Sequence, residues 1–410
     1  MSRDAIRNQL DHQPHTRAMH VVIIGGGVMG AATASFLASR FGVRATVLER
    51  DASYARASSA LSVCAIRQQF STEINIRVSQ ASLLFYRDIA QQLAVGDDRP
   101  NIGLTEPGYL YLATQAGAAV LHENQALQRA CGASVALLTP QDLAARYPWL
   151  TVSDLALGSL GLSAAHSGEG WFDGYRALQA FRQHALAHGA QFVEAEAMDF
   201  VQQGGTVSAV VTANGTQVPC DAVVVTAGAW TSRLTTRLGT PLPIHARKRD
   251  VFSLQADRTL PACPLVIDPS GFWFRPDGDQ GQFLCGAPPR GDDVDDAPLD
   301  HVDHGLFDEW LWPKLAERVP AFDALRVTGA WAGYYEYNSF DQNGLVGRLP
   351  GTHNTFVAAG FSGHGLQQAP AIGLGIAELV ATGAYQSLDL SPFTVERIER
   401  QQPLLERNVI

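Results

Sequence analysis

The 410-residue sequence is poor in the features that mark secreted, membrane-spanning or nucleic-acid-binding chains. Its five cysteines, Cys64, Cys131, Cys220, Cys263 and Cys285, are odd in number and never take a C-x-x-C spacing, which argues against a disulfide framework and a zinc site. A reducing, cytoplasmic setting fits them. Residues 1–18 interleave Arg3, Arg7 and Arg17 with Asp4 and Asp11 and hold no apolar run, so they read as a mobile leader and not as a secretory signal. No stretch approaches the roughly 18 apolar residues of a transmembrane helix, and any contact with a membrane would be peripheral. A net charge of -10 without a basic stripe excludes nucleic acid as a partner. His301 and His304 flank Asp303 but lack a ligand pattern, and no metal is expected.

What is present describes a folded chain, with 46% hydrophobic and 17% charged residues. Its length exceeds what one core usually serves, so two domains are expected. Val21-Val22-Ile23-Ile24, then Gly25-Gly26-Gly27, then the Ala-rich stretch from Val28 to Arg40 read as strand, tight turn and helix. Ala45-Thr46-Val47-Leu48 ends in Glu49 and completes a βαβ unit. Ala222 to Thr226 and Thr355 to Ala359 look like further central parallel strands, whereas Gly108 to Leu112 and Val251 to Leu254 alternate like antiparallel ones. The expected class is α/β: a doubly wound, Rossmann-like nucleotide domain over 19–105, 165–245 and 330–395. An antiparallel, β-rich substrate domain over 106–164 and 246–329 is inserted in it, and 396–410 form a C-terminal tail. The acidic stretch with Asp292, Asp293, Asp295, Asp296, Asp300 and Asp303 reads as a solvated loop.

Gly25, Gly27 and Gly30 supply G-x-G-x-x-G between a strand and a helix: one glycine for the turn, one for close approach of a pyrophosphate, one for helix–strand packing. Glu49 follows Gly30 by about 20 residues, where an acid accepts hydrogen bonds from a ribose. A second glycine-rich turn, from Ala359 to Gln368, precedes a helix over Ala371 to Leu379. Its free N–H groups and positive dipole end suit a flavin, whose pyrimidine gathers negative charge on reduction, better than a nicotinamide.

Together, the N-terminal fingerprint with Glu49, the Val225-Thr226-Ala227-Gly228-Ala229-Trp230 strand end and the Gly360 to Leu366 turn resemble the D-amino-acid oxidase-like FAD family, which includes sarcosine oxidase, glycine oxidase and dimethylglycine dehydrogenase. The resemblance runs from Val21 to Phe393. A narrower likeness rests on Ile66 to Ser71, Trp331 to Asn338 and Gly363 to Pro370, which look like the FAD-dependent oxidoreductase domain-containing proteins linked to assembly of respiratory complex I. The resemblance implies noncovalent FAD held by Gly25, Gly27, Val28, Met29, Gly30, Glu49, Arg50, Ser58, Ser59, Ala227, Gly228, Trp230, Gly363, His364, Gly365, Leu366 and Gln367.

The implied substrate is a small amino acid or N-alkylated amino acid, oxidised at its carbon–nitrogen bond by hydride transfer to flavin N5. Arg67 matches the arginine that holds the substrate carboxylate in sarcosine oxidase, while the second anchoring lysine of that enzyme falls on Gln367 and the arginine of glycine oxidase near Tyr335. Tyr335, Tyr337, Arg247 or Arg249 then substitute, Glu336 lies near the amine, and His364 contacts flavin. The flavin-linking cysteine of sarcosine oxidase aligns with Tyr334, and its oxygen-activating lysine with Leu284. The resemblance therefore implies a dehydrogenase that passes electrons to a quinone or an electron-transfer protein. Two other readings stay open: a 2-hydroxy-acid dehydrogenase, and a flavoprotein assembly factor with little turnover.

Overall fold

The computed structural model describes residues 19–408, and the leader expected over 1–18 lies outside the described residues. Val21 to Ile24 are almost wholly buried, as a parallel strand covered on both faces must be. The strand His20–Ile24 sits inside a six-stranded sheet ordered Leu345–Arg348, Thr355–Ala359, Ala222–Val225, His20–Ile24, Arg44–Glu49 and Gln191–Glu194. All neighbours in it are parallel except Leu345–Arg348 against Thr355–Ala359. Helices Val28–Phe41, Glu73–Arg87, Gly174–Ala187 and Gly365–Thr382 share one apolar core with one face of this sheet. A three-stranded sheet, Ala197–Gln203, Thr206–Thr212 and Gln217–Pro219, shares a second core with the other face.

The second large sheet has eight strands, ordered Arg326–Asn338, Ile244–Gln255, Gln282–Gly286, Trp273–Pro276, Leu265–Ile267, Tyr109–Ala113, Leu157–Gly161 and Val135–Leu138. Pairing is antiparallel apart from Leu265–Ile267 beside Tyr109–Ala113, which run parallel, and since Tyr109–Ala113 is buried at every position, the alternation read in Gly108 to Leu112 reports side-chain type and not one pairing direction. Ile244–Gln255 and Arg326–Asn338 form one long ribbon that crosses two of the four expected domain junctions, at 245/246 and at 329/330. The segment read as a C-terminal tail packs against the body: Arg397 pairs with buried Asp341 at 2.8 Å, and the Glu406 side chain is fully buried.

The acidic stretch is not simply solvated. Asp293 pairs with Arg249, Asp295 with Arg247 and His245, and Asp296 with Arg233, while Asp303 accepts a hydrogen bond from Leu306 N at the start of a short helix. The aspartates form a strap across Arg247 and Arg249 of the ribbon and Arg233 of the helix Thr231–Arg237, and none of these three cations pairs with another carboxylate among the described residues.

Candidate active site

One cavity of about 890 Å³ gathers residues from the two large sheets. At the end of His20–Ile24, Gly25 takes φ +99°, where a side chain would be strained and a Cβ would meet Thr226 O at 2.4 Å. Gly30 does not line the cavity; a Cβ on it would lie 1.9 Å from Gly25 O, so its role is to let the helix approach the turn. Helix Val28–Phe41 opens with no side-chain cap and no acid in its first turn. Ser59 Oγ accepts from Val28 N at 3.1 Å, and the N–H groups of Met29 and Gly30 have no acceptor within the helix. Glu49 is fixed beside this turn, Oε2 accepting from Gly26 N at 2.7 Å and Oε1 from Asp51 N at 3.0 Å. Unclaimed amide donors beside a held carboxylate are the donor set of a pyrophosphate and a ribose. FAD therefore fits the residues present.

The second turn approaches the same space. Strand Thr355–Ala359 leads into Gly360, Ser362 and Gly363, all at positive φ, and the Tyr335 ring lies so close to Gly363 that a Cβ there would meet it at 2.5 Å. Helix Gly365–Thr382 follows. Pro370 cannot donate to the Leu366 carbonyl, and the Tyr86 hydroxyl donates to that oxygen instead, at 2.7 Å. The start of the helix is thereby pinned to Glu73–Arg87. His364, just before it, is buried, and neither ring nitrogen has a partner in the described protein. Burial, with help from the Arg67 charge, pushes its pKa down to about 3, so it is neutral at physiological pH. Two orphaned ring nitrogens at the cavity wall are what a residue awaiting a polar cofactor edge would show.

Arg67 is buried in the cavity wall and not on the surface. Its guanidinium lies 4.1 Å from the centre of the Phe70 ring, Nη1 donates to Gln69 O at 2.6 Å, and Nη2 donates to Asn408 O. It contacts no carboxylate among the described residues, although Glu169 lies behind the same loop, Oε1 accepting from Gln68 N and Oε2 from Gln69 Nε2, each at 2.7 Å. Burial pushes Glu169 up to about 7, against the pull of those hydrogen bonds and of Arg67. Glu336 sits on Arg326–Asn338 in the cavity wall, not on a solvated turn. Burial raises it from its ordinary 4.5 to about 7, partly offset by backbone N–H groups of Gly360 and Phe361.

Arg67, Tyr335, Glu336 and His364 thus border one cavity, together with every residue assigned to FAD except Gly30. Tyr337 does not: it shares a strand face with Tyr335 but stands about 7 Å further along, beyond the cavity and opposite His245. Of the two proposed substitute cations, Arg249 lines the space, held by Asp293 through two contacts of 2.9 Å and lying 5.2 Å from the Tyr335 ring centre, whereas Arg247 is outside, as is its neighbour Lys248. Gln367 is committed to the loop, its Oε1 accepting from Arg67 N at 2.8 Å and Ser79 Oγ at 3.1 Å. Tyr334 lines the cavity, while the Cys64 thiol is buried outside it and pushed up to about 11 by burial. Leu284 belongs to the apolar cluster with Tyr109, Val251, Leu265 and Trp273, whose other members form a cavity wall that sequence reading missed. Only the pairing of distant strands brings those four together.

Residues 20–379 match the family of FAD dependent oxidoreductases. The FAD-dependent oxidoreductase domain-containing protein 1 of Xenopus laevis is 40% identical over 95% of this chain and 84% of its own length. Glycine oxidase of Geobacillus kaustophilus is 28% identical over 93% of this chain and 98% of its own. Among solved structures, L-proline dehydrogenase from P. horikoshii superimposes with a TM-score of 0.82 at 26% identity, over 94% of this chain and 99% of that one. The chain belongs to the FAD-dependent oxidoreductase family that also holds the glycine and sarcosine oxidases.

Proposed function

We propose that the protein oxidises the carbon–nitrogen bond of a small amino acid or N-alkylated amino acid and delivers the electrons to an acceptor other than oxygen. The observation that carries this reading is Arg67, a buried cation in the cavity wall with no carboxylate partner in the described chain. A buried guanidinium whose fork meets only carbonyls gains from an anion in direct contact, and its planar fork matches a carboxylate. The activities for which several relatives are named, glycine oxidase, 4-methylaminobutanoate oxidase and L-proline dehydrogenase, support an amine substrate.

Bound FAD supplies the acceptor for the two electrons that leave the substrate. Arg67 holds the carboxylate, and the apolar wall of Tyr109, Val251, Leu265 and Trp273 keeps water from the reacting carbon. Glu336, when ionised, pairs with the substrate ammonium and takes its proton, leaving the neutral amine that oxidation requires. Loss of a hydride equivalent from carbon of the neutral amine leaves an iminium ion, which water hydrolyses. Leu284 offers no charge to stabilise superoxide, Arg247 and Lys248 are tied outside the cavity, and the cavity cations Arg67 and Arg249 are engaged by the substrate carboxylate and by Asp293, which favours a quinone or electron-transfer protein as acceptor. The test is an anaerobic screen of amino acids, N-methyl amino acids and 2-hydroxy acids for loss of flavin absorbance near about 450 nm. Bleaching by hydroxy acids alone, or by nothing, overturns the assignment.

A further inference from the structure

The C-terminal strap reaches the middle of the molecule. Glu406 is buried to 0% exposure, and its carboxylate accepts from Ser71 N at 2.8 Å, Ser71 Oγ at 2.7 Å, Thr72 Oγ1 at 3.0 Å, Asn75 Nδ2 at 3.0 Å and Asn408 N at 3.0 Å. Five donors on one buried carboxylate make a pin and not a solvated acid. Two residues on, Asn408 O accepts from Arg67 Nη2, and Asn408 Nδ2 donates to Gln69 O, the same oxygen that accepts from Arg67 Nη1.

We propose that Glu406, carried by this strap, is a positioning residue for Arg67. Both terminal nitrogens of Arg67 are oriented by backbone carbonyls, one from its own loop and one from the strap, while the guanidinium face rests on Phe70. Carbonyls direct the fork without neutralising it. The two buried carboxylates of the neighbourhood, Glu169 and Glu406, stand one layer back, each committed to donors other than Arg67. Either one in direct contact would occupy the fork, whereas at one remove they balance its charge and leave its remaining N–H groups for a ligand. The positioning is indirect: Glu406 fixes Asn408, and Asn408 fixes the guanidinium.

This inference rests on the reading of Arg67 as the carboxylate-binding group, and the test separates the two. Acetate, a monocarboxylate without an amine, is titrated calorimetrically into the FAD-loaded wild type, R67A, E406Q and S71A. R67A is expected to weaken acetate binding at least about tenfold, as loss of a charged hydrogen-bonding partner does. E406Q places an amide donor among five donors and should weaken it by about threefold to tenfold with FAD content unchanged. In anaerobic reduction by an amino acid, its half-saturating concentration should rise more than its limiting rate falls. S71A, which removes the hydroxyl shared by Glu406 Oε1 and Arg407 N, should move both readouts the same way by less, and it decides the matter if E406Q does not fold. Wild-type acetate affinity in folded E406Q, or in S71A if E406Q does not fold, with R67A impaired, overturns the positioning role alone. Wild-type affinity in R67A overturns the carboxylate reading and the strap's role with it.

Discussion

Removing the Glu336 carboxylate by E336Q should abolish a pH dependence that the structure places near neutrality. Burial lifts this group from 4.5 to about 7, so it is neutral on the acid side of that value and ionised above it. A substrate amino acid keeps its ammonium until roughly pH 9 or higher, so in the neutral range the titrating partner is the protein. With a pKa of about 7, the ionised fraction is about 3% at about pH 5.5 and about 90% at about pH 8, and the reduction rate at low substrate should rise about thirtyfold between them. The assay is stopped-flow anaerobic reduction of the flavin at subsaturating substrate, which reports groups of the free protein. In E336Q the rise of about thirtyfold should be lost, and at about pH 8 the rate should lie far below that of the wild type.

Glu169 needs a control because burial raises it to about 7 as well. Its influence passes through Arg67, so E169Q should alter acetate binding and its pH dependence, whereas E336Q should leave acetate binding alone. His364 cannot account for a neutral limb, since burial holds its pKa down near about 3. A rise of the same size that survives in E336Q, and in E336Q/E169Q where Glu169 cannot titrate, refutes the assignment of Glu336 as proton acceptor.

Acid precipitation should release all the flavin into the supernatant, because Tyr334 stands in the cavity wall and the Cys64 thiol points elsewhere; yellow colour retained in the pellet contradicts this. E49R should purify with little FAD, since it removes the acceptor fixed by Gly26 and Asp51 and adds a bulky cation at the ribose position, and normal occupancy would take Glu49 out of the site. With a reducing substrate in hand, turnover with a quinone or dye should far exceed peroxide formation in air, and L284K should raise the oxygen rate. Fast stoichiometric peroxide from the wild type would make the protein an oxidase.

The nucleotide-binding turn was legible because it is local: strand, glycines, helix and Glu49 fall within one βαβ unit, and every contact among them is a short-range consequence of backbone geometry. The late glycine turn was legible for the same reason. Tyr337 was misplaced because strand periodicity tells which face a side chain takes but not where along the strand a cavity ends. Asp293, Asp295 and Asp296 read as solvated because the basic residues they meet lie at least about 40 positions away in sequence. Asn408 stands 341 residues from Arg67, and no pattern in either segment announces the contact.

The order of the central sheet bears on how the protein is made. Ala222–Val225 lies between His20–Ile24 and Thr355–Ala359, so the strand before the glycine turn gains its second neighbour only from mid-sequence, and that neighbour in turn waits for Thr355–Ala359, synthesised after most of the polypeptide. Closing such long loops is slow, and the unpaired edge of Ala222–Val225 stays available to other chains meanwhile. The ribbon of Ile244–Gln255 and Arg326–Asn338 must also zip before Tyr335 and Glu336 reach the cavity. FAD thus meets its complete binding surface only at the end of folding. Because FAD binds only that assembled surface, its binding stabilises the folded form, and protein made without it should unfold at a lower temperature than the FAD-loaded form.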